Sequence, residues 1–87
     1  MKEVPYYVYI VRCKDETLYT GCTTNLSKRL DVHNSGKGAH YTRARTPVMY
    51  VYQEEGIGRS WAQRREYEIK KMTRAQKLSL IQERGLK

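Results

Sequence analysis

The chain has 87 residues, enough for one domain and too few for two, with its core expected over about residues 5–82. Seventeen Lys and Arg against nine Asp and Glu give a formal charge of +8, which calls for a polyanionic partner, nucleic acid or an acidic membrane surface. The longest apolar run, Tyr6 to Val11, is six residues, which excludes a spanning helix of ~18–20 residues.

Tyr6-Tyr7-Val8-Tyr9-Ile10-Val11-Arg12-Cys13 is β-branched and aromatic, and reads as a strand. Thr17-Leu18-Tyr19-Thr20-Gly21-Cys22 reads as a second strand, reached through the polar Lys14-Asp15-Glu16 in a hairpin. Asn25 is a good N-cap, and Leu26, Leu30 and His33 recur at helical spacing until Ser35-Gly36. Residues 36–46 are polar and basic and are expected to form a loop. Pro47 then leads into a third strand, Val48-Met49-Tyr50-Val51-Tyr52. Ser60-Trp61-Ala62-Gln63 and Thr73-Arg74-Ala75-Gln76 each place a hydroxyl three residues ahead of a glutamine, the pattern of a capping box. The first of these helices should bury Trp61, Ala62, Ile69 and Met72. The second should bury Ala75, Leu78 and Ile81 and end near Gly85. The order β-β-α-β-α-α predicts an α+β fold, a small three-stranded antiparallel sheet flanked by helices.

Met1-Lys2-Glu3-Val4-Pro5 starts no signal peptide. A cytoplasmic protein is expected, with Cys13 and Cys22 as reduced thiols on strands. Zinc would need Cys13, Cys22, His33 and His40, whose gaps of 8, 10 and 6 residues match no common finger or ribbon.

Three constellations have side chains suited to chemistry, each beside an ordinary structural alternative. A hairpin turn centred on Lys14 sets Tyr9 directly across from Tyr19, two phenols beside Gly21, where no side chain blocks approach. The alternative is an aromatic pair that packs the sheet. Arg29 and His33 lie four apart on one helix face, at the edge of the Leu26–Leu30 stripe between core and solvent. A guanidinium there suits a phosphate, and an imidazole suits proton transfer. The alternative is a solvated helix flank. Glu66 lies one turn after Ala62 and one turn before Lys70, placed either to hold Mg²⁺ or to pair with Lys70. Between these elements, Lys37, Arg43 and Arg45 interleave with His40 and Tyr41 as candidate phosphate contacts and a base-stacking ring. Gly36-Lys37-Gly38 is not a phosphate-binding P-loop, since it lacks the earlier glycine, the following hydroxyl and the preceding strand.

The order of these residues resembles the GIY-YIG nuclease family through Tyr7-Val8-Tyr9, Tyr19-Thr20-Gly21, Arg29, His33 and Ala62-x-x-x-Glu66. The likeness is stronger to its small stand-alone bacterial members. They share the runs Leu18-Tyr19-Thr20-Gly21-x-Thr23-Thr24-Asn25-Leu26, Asn34-Ser35-Gly36-Lys37-Gly38-Ala39 and Arg64-Arg65-Glu66-Tyr67-x-Ile69-Lys70-Lys71. The first glycine of the family name is Tyr7 here, its isoleucine is Val8, and the isoleucine of the second motif is Thr20.

What the resemblance implies is phosphodiester hydrolysis in DNA with one divalent ion, Mg²⁺ or Mn²⁺. Glu66 would hold the ion, and Arg29 would clamp the phosphate. Tyr9 or Tyr19, with His33 nearby, would prepare the water, and Thr20 and Asn25 would support from behind. It implies a DNA partner, with RNA left open, and branched, nicked or damaged DNA in repair or recombination; no membrane partner is expected, because no helix pairs a basic face with a broad lipid-inserting face. Family members with those roles usually carry extra domains, so substrate targeting would come from a protein partner. The alternative is a nucleic-acid-binding module of the same fold that does not cut.

Overall fold

Residues 4–85 are described in the computed structural model of the chain. The β-branched and aromatic first segment forms β1 (Pro5–Arg12), which pairs antiparallel with β2 (Leu18–Thr23). In the turn, the Glu16 amide donates to the Cys13 carbonyl and the Cys13 amide to the Thr17 carbonyl, both at 2.9 Å. Glu16 takes the left-handed region at φ 67°, and the Asp15 carboxylate accepts from the Thr17 amide and hydroxyl at 3.1 and 2.6 Å. The hairpin therefore centres on Asp15 rather than Lys14. Tyr9 lies opposite Gly21 and Tyr19 opposite Val11, a register two residues away from the expected Tyr9–Tyr19 pair. A slip of two keeps every side chain on its face, so the two tyrosines still share one, on a diagonal.

The third strand, β3 (Met49–Ile57), adds to the other edge of β1 and gives the antiparallel order β2-β1-β3. It runs five residues past the expected end, through Gln53-Glu54-Glu55. Polar character hides this extension in the sequence, yet Glu54 is well paired. Arg65 holds its two oxygens at 2.6 and 3.1 Å, and the Tyr52 hydroxyl donates to it. A bulge leaves Val51 extra, since Ile10 faces Tyr52 while Val11 faces Tyr50.

Helix α1 (Leu26–Asn34) is capped as expected, with the Asn25 side chain accepting from the Lys28 amide at 3.0 Å. The basic loop is not wholly irregular: it contains a single turn, α2 (His40–Arg43). Helix α3 (Arg59–Lys70) starts one residue before Ser60, after Gly58 at φ 91°, so the first expected capping box does not form. The second does, at the start of α4 (Arg74–Arg84), where Thr73 and Gln76 cap each other's amides at 3.2 and 2.9 Å.

Alternation along the strands divides the core in two. Val8, Ile10 and Tyr52 face Ala62 and Ile69 of α3, with Trp61, Met72, Leu80 and Ile81 packed around them. Tyr9, Val11, Cys13 and Val48 lie on the other face under Leu26 and Leu30, beside Tyr19 and Tyr50. The expected stripe on α4 is only partly used: Ile81 packs with Leu80, while Ala75 is exposed and Leu78 is 44% exposed. The helix docks by its C-terminal half, where Gly85 approaches the Val51 carbonyl so closely that a Cβ would lie 2.7 Å from it. Both cysteines are free thiols. Among the described residues, no helix is long and apolar enough to cross a membrane.

Candidate active site

The site begins with one bare stretch of backbone. Gly21 faces Tyr9 across the hairpin, and a Cβ there would lie 2.5 Å from the Tyr9 hydroxyl and 2.7 Å from its Cζ. Without that carbon, the Tyr9 ring lies across β2 and meets Tyr50 edge-on at 5.2 Å. Its hydroxyl is 2.9 Å from Nε2 of His33. Burial, and after it the neighbouring Tyr19, push the Tyr9 phenol above its usual range, with Arg29 opposing.

His33 is only 1% exposed, not at the core–solvent edge that its helical position predicts. The loop after α1 folds back over it. Thr42 of α2 lies with Oγ1 2.9 Å from Nδ1, and Gly38 passes so tightly that a Cβ would collide with the ring. Burial, then the Arg29 charge, lowers the His33 pKa and keeps the ring neutral. Arg29, half-buried on α1, acts on Tyr9, Tyr50 and His33 in the same sense, favouring negative or neutral neighbours. A cleft of about 260 Å³ opens beside it, lined by Thr23, Thr24, Asn25, Lys28 and Val32.

Tyr19 meets His33 edge-on at 5.8 Å on the same face. Glu66 comes from α3, on the other side of β2. Burial, and after it the Glu66 carboxylate, push the neighbouring Cys22 thiol up to about 11, with Lys70 and then Arg29 opposing. Glu66 is paired with Lys70 at 2.6 Å, the ordinary alternative foreseen for it, and the Lys70 ammonium lies 5.8 Å from the centre of the Tyr19 ring. Tyr9, Tyr19, Arg29 and His33 thus share one face, with Glu66 linked to them through Cys22 and Lys70. Among the described residues, no group of three His, Cys, Asp or Glu side chains gathers as a metal cage.

The basic loop frames the site. Tyr41 stacks on Tyr19 at 5.9 Å, with the Arg45 guanidinium 4.1 Å from its ring centre. Arg45 also donates to Asp15 at 2.9 Å and to the Tyr41 carbonyl at 2.7 Å, and Arg43 to the Gly38 carbonyl at 3.3 Å. Lys37 is exposed. The Asn25 side chain is engaged as the helix cap. Thr20 shares the face of Ile10, away from Tyr9, and its buried hydroxyl has no partner among the described residues.

Two residues at the site had not been singled out. Tyr50 packs on Tyr9 and donates to the Leu26 carbonyl at 2.6 Å, and burial pushes its phenol up to about 12. Its place on that face depends on the β3 bulge, which no pattern in the sequence marks. Thr42 sits in a turn without hydrophobic periodicity, and only its contact with His33 reveals it.

Two phenols, an imidazole and a guanidinium thus gather on one face of the sheet, with a carboxylate beyond β2. Residues 5–79 match the family model described as the GIY-YIG catalytic domain. The chain belongs to the GIY-YIG family, a family of nucleases. It is 60% identical over 79 residues to the UPF0213 protein SH2523 of Staphylococcus haemolyticus, covering 91% of this chain and 96% of that one. It is 58% identical over 81 residues to the UPF0213 protein CPE1444 of Clostridium perfringens, covering 93% and 87%. The solution NMR structure of the UPF0213 protein BH0048 from Bacillus halodurans aligns with a TM-score of 0.62 at 43% identity, covering 94% of this chain and 87% of that one.

Proposed function

We propose that this chain is a divalent-metal-dependent endonuclease that hydrolyses DNA phosphodiester bonds, with residues 1–87 acting as one domain. Tyr9, Tyr19, Arg29, His33 and Glu66 are its working groups. One observation carries the reading: the Tyr9 hydroxyl lies 2.9 Å from Nε2 of a buried, neutral His33.

A phenol pushed above its ordinary pKa of ~10 is not ionised at neutral pH. It can accept a proton from water only as its own proton leaves, and His33 Nε2 is the acceptor in place. The water O–H breaks, its proton joins the Tyr9 oxygen, the Tyr9 proton joins Nε2, and the hydroxide oxygen attacks phosphorus as the P–O3′ bond breaks, the departing 3′-oxygen taking a proton from solvent water. Tyr9 ends neutral and His33 ends as an imidazolium. Arg29 donates to the non-bridging oxygens, where negative charge grows in the transition state. Tyr19, the second phenol on that face, helps hold the water.

Glu66 suits Mg²⁺ or Mn²⁺ as a single hard anchor, because such ions keep several waters and take further oxygens from the substrate phosphate. Its half-buried carboxylate fits on charge and hardness once Lys70 turns away. When bound, the ion supplies Lewis-acid stabilisation to the phosphate and to the leaving 3′-oxygen. Lys37, Arg43, Arg45 and Tyr41 guide the strand at the mouth, and the charge of +8 draws DNA in. The finer reading, by likeness to the family, is a role in repair or recombination on branched, nicked or damaged DNA, with a protein partner choosing the target.

A second reading, a binding module that does not cut, is favoured by the Lys70 ammonium held against Glu66 at 2.6 Å. Labelled single-stranded, duplex and forked DNA incubated with Mg²⁺, Mn²⁺ or EDTA separates the two. Cutting that needs the metal and disappears in Glu66→Ala supports the nuclease. Binding without cutting under either metal overturns it, and cutting unchanged by Glu66→Ala removes Glu66 from the site.

A further inference from the structure

We infer that Thr42 is a positioning residue for the Tyr9–His33 pair, fixing His33 in the tautomer with its proton on Nδ1 and leaving Nε2 to accept from Tyr9. Its catalytic meaning rests on the hydrolytic reading above, whereas the tautomer rests on counting protons along a buried chain of hydrogen bonds.

The chain runs from the Tyr9 hydroxyl to His33 Nε2 at 2.9 Å, then from His33 Nδ1 to Thr42 Oγ1 at 2.9 Å, and from Thr42 Oγ1 to the Ala39 carbonyl at 3.0 Å. A carbonyl only accepts, so the Thr42 hydroxyl, with its single proton, donates to Ala39. Toward His33 it must then accept, which puts the ring proton on Nδ1. The neutral ring leaves Nε2 bare, and the Tyr9 hydroxyl donates to it. The opposite order is poorer at both ends. It would set the Thr42 and Ala39 oxygens against each other at 3.0 Å with no proton between them. It would also leave the buried Tyr9 proton without an acceptor among the described residues. All bonds therefore point one way, from the phenol toward the carbonyl.

Thr42 is fully buried at 0% exposure although it lies in a one-turn helix of a basic loop. Gly38, four residues earlier, fits against the same edge of the ring with no room for a Cβ. The segment from Gly38 to Thr42 is thus shaped around Nδ1. The titratable or charged groups facing His33 are Tyr9 from β1, Tyr19 from β2 and Arg29 from α1 itself, and none of these is bonded to Nδ1.

The direct test reads ¹⁵N chemical shifts of the His33 ring in the DNA-free protein near neutral pH, with His40→Gln removing the other imidazole. A proton on Nδ1 is expected in the wild-type protein and in Thr42→Ser, and a shift toward Nε2–H in Thr42→Val. A wild-type ring protonated on Nε2, or a Thr42→Val ring still protonated on Nδ1, overturns the assignment. If Thr42→Val does not fold, the wild-type ring and Thr42→Ser decide. With Mn²⁺ and cleavable DNA, Thr42→Val should lower kcat roughly 10–100-fold, the range for groups that orient a working residue, with KM unchanged and Thr42→Ser restoring the rate. Loss of rate that the serine does not rescue counts against positioning. Nδ1–H in a wild-type protein that cuts no DNA would overturn the nuclease reading while supporting the role of Thr42 in orienting the ring.

Discussion

The two faces of the sheet take alternate residues of the same strand and use them in opposite ways. Val8 and Ile10 lie under α3 and α4 in an apolar layer with Tyr52, Ala62 and Ile69. Tyr9, between them in sequence, lies under α1 and α2 in a chain of hydrogen bonds through His33 to Thr42. The first face holds the fold by area removed from water, which tolerates exchange among apolar groups of similar volume. The second holds directional bonds in a low-dielectric setting, where one unpaired atom is costly. A 10.3 kDa chain has no spare layer in which to keep the two apart. The two-residue period of β1 sets Tyr9 apart from Val8 and Ile10, while Glu66 stands on α3, the helix that covers the apolar face.

That contrast can be broken from either side. The largest effect is expected from Arg29→Ala, which should lower kcat by ~10²–10³-fold, as for loss of one preorganised donor to a transition-state anion. The urea midpoint should move little, because Arg29 is only half-buried. A large loss of stability with cleavage intact would reverse the assignment of faces. The opposite variant, Ile10→Ala, should cost about 3 kcal/mol of stability in chemical denaturation, since Ile10 is fully buried. Cleavage per folded molecule should persist at temperatures where the variant is still folded. A smaller effect sharpens the comparison through pH. The folded-state pKa of His33 is lowered by burial, so its contribution to stability is complete above the ordinary histidine value of ~6.5. As pH falls below that value the unfolded chain takes up the proton first, and stability falls by at most about 1.4 kcal/mol per pH unit. Denaturation midpoints at two pH values either side of 6.5 should diverge more in the wild-type protein than in His33→Gln. Equal divergence would place the titration elsewhere.

The sequence exposes the elements better than their joints. The strand–turn–strand segment, the Asn25 cap and the Thr73–Gln76 box are local signals, and the structure uses all three. The register escaped because it depends on Glu16 adopting a left-handed backbone, which its residue type does not announce. The end of β3 escaped because Glu54 becomes tolerable in a strand only through Arg65, eleven residues later. Ser60 misled because Gly58, with φ 91°, turns the chain into α3 before the serine can cap it. Of the candidate residues Tyr9, Tyr19, Arg29, His33 and Glu66, local strand and helix spacing singles out each, and the structure brings the first four to one face. The burial of His33 was not legible, since it is produced by a loop folding back from residues that carry no periodic pattern.

Asn34, the last residue of α1, has a consequence of its own. Its side-chain amide donates to the Val48 carbonyl at 3.2 Å and accepts from the Val48 amide at 2.7 Å, the pair of bonds a neighbouring strand would make. The helix carrying Arg29 and His33 is thereby latched to the chain just ahead of β3. With Asn25 tying its other end to the turn after β2, that helix cannot rock against the sheet without losing bonds at both ends. The spacing between guanidinium, imidazole and phenol is set when the protein folds. On the proposed nuclease reading, the Lys70 ammonium, paired with Glu66 at 2.6 Å, is then the group that must swing away, a motion of one flexible side chain at the protein surface.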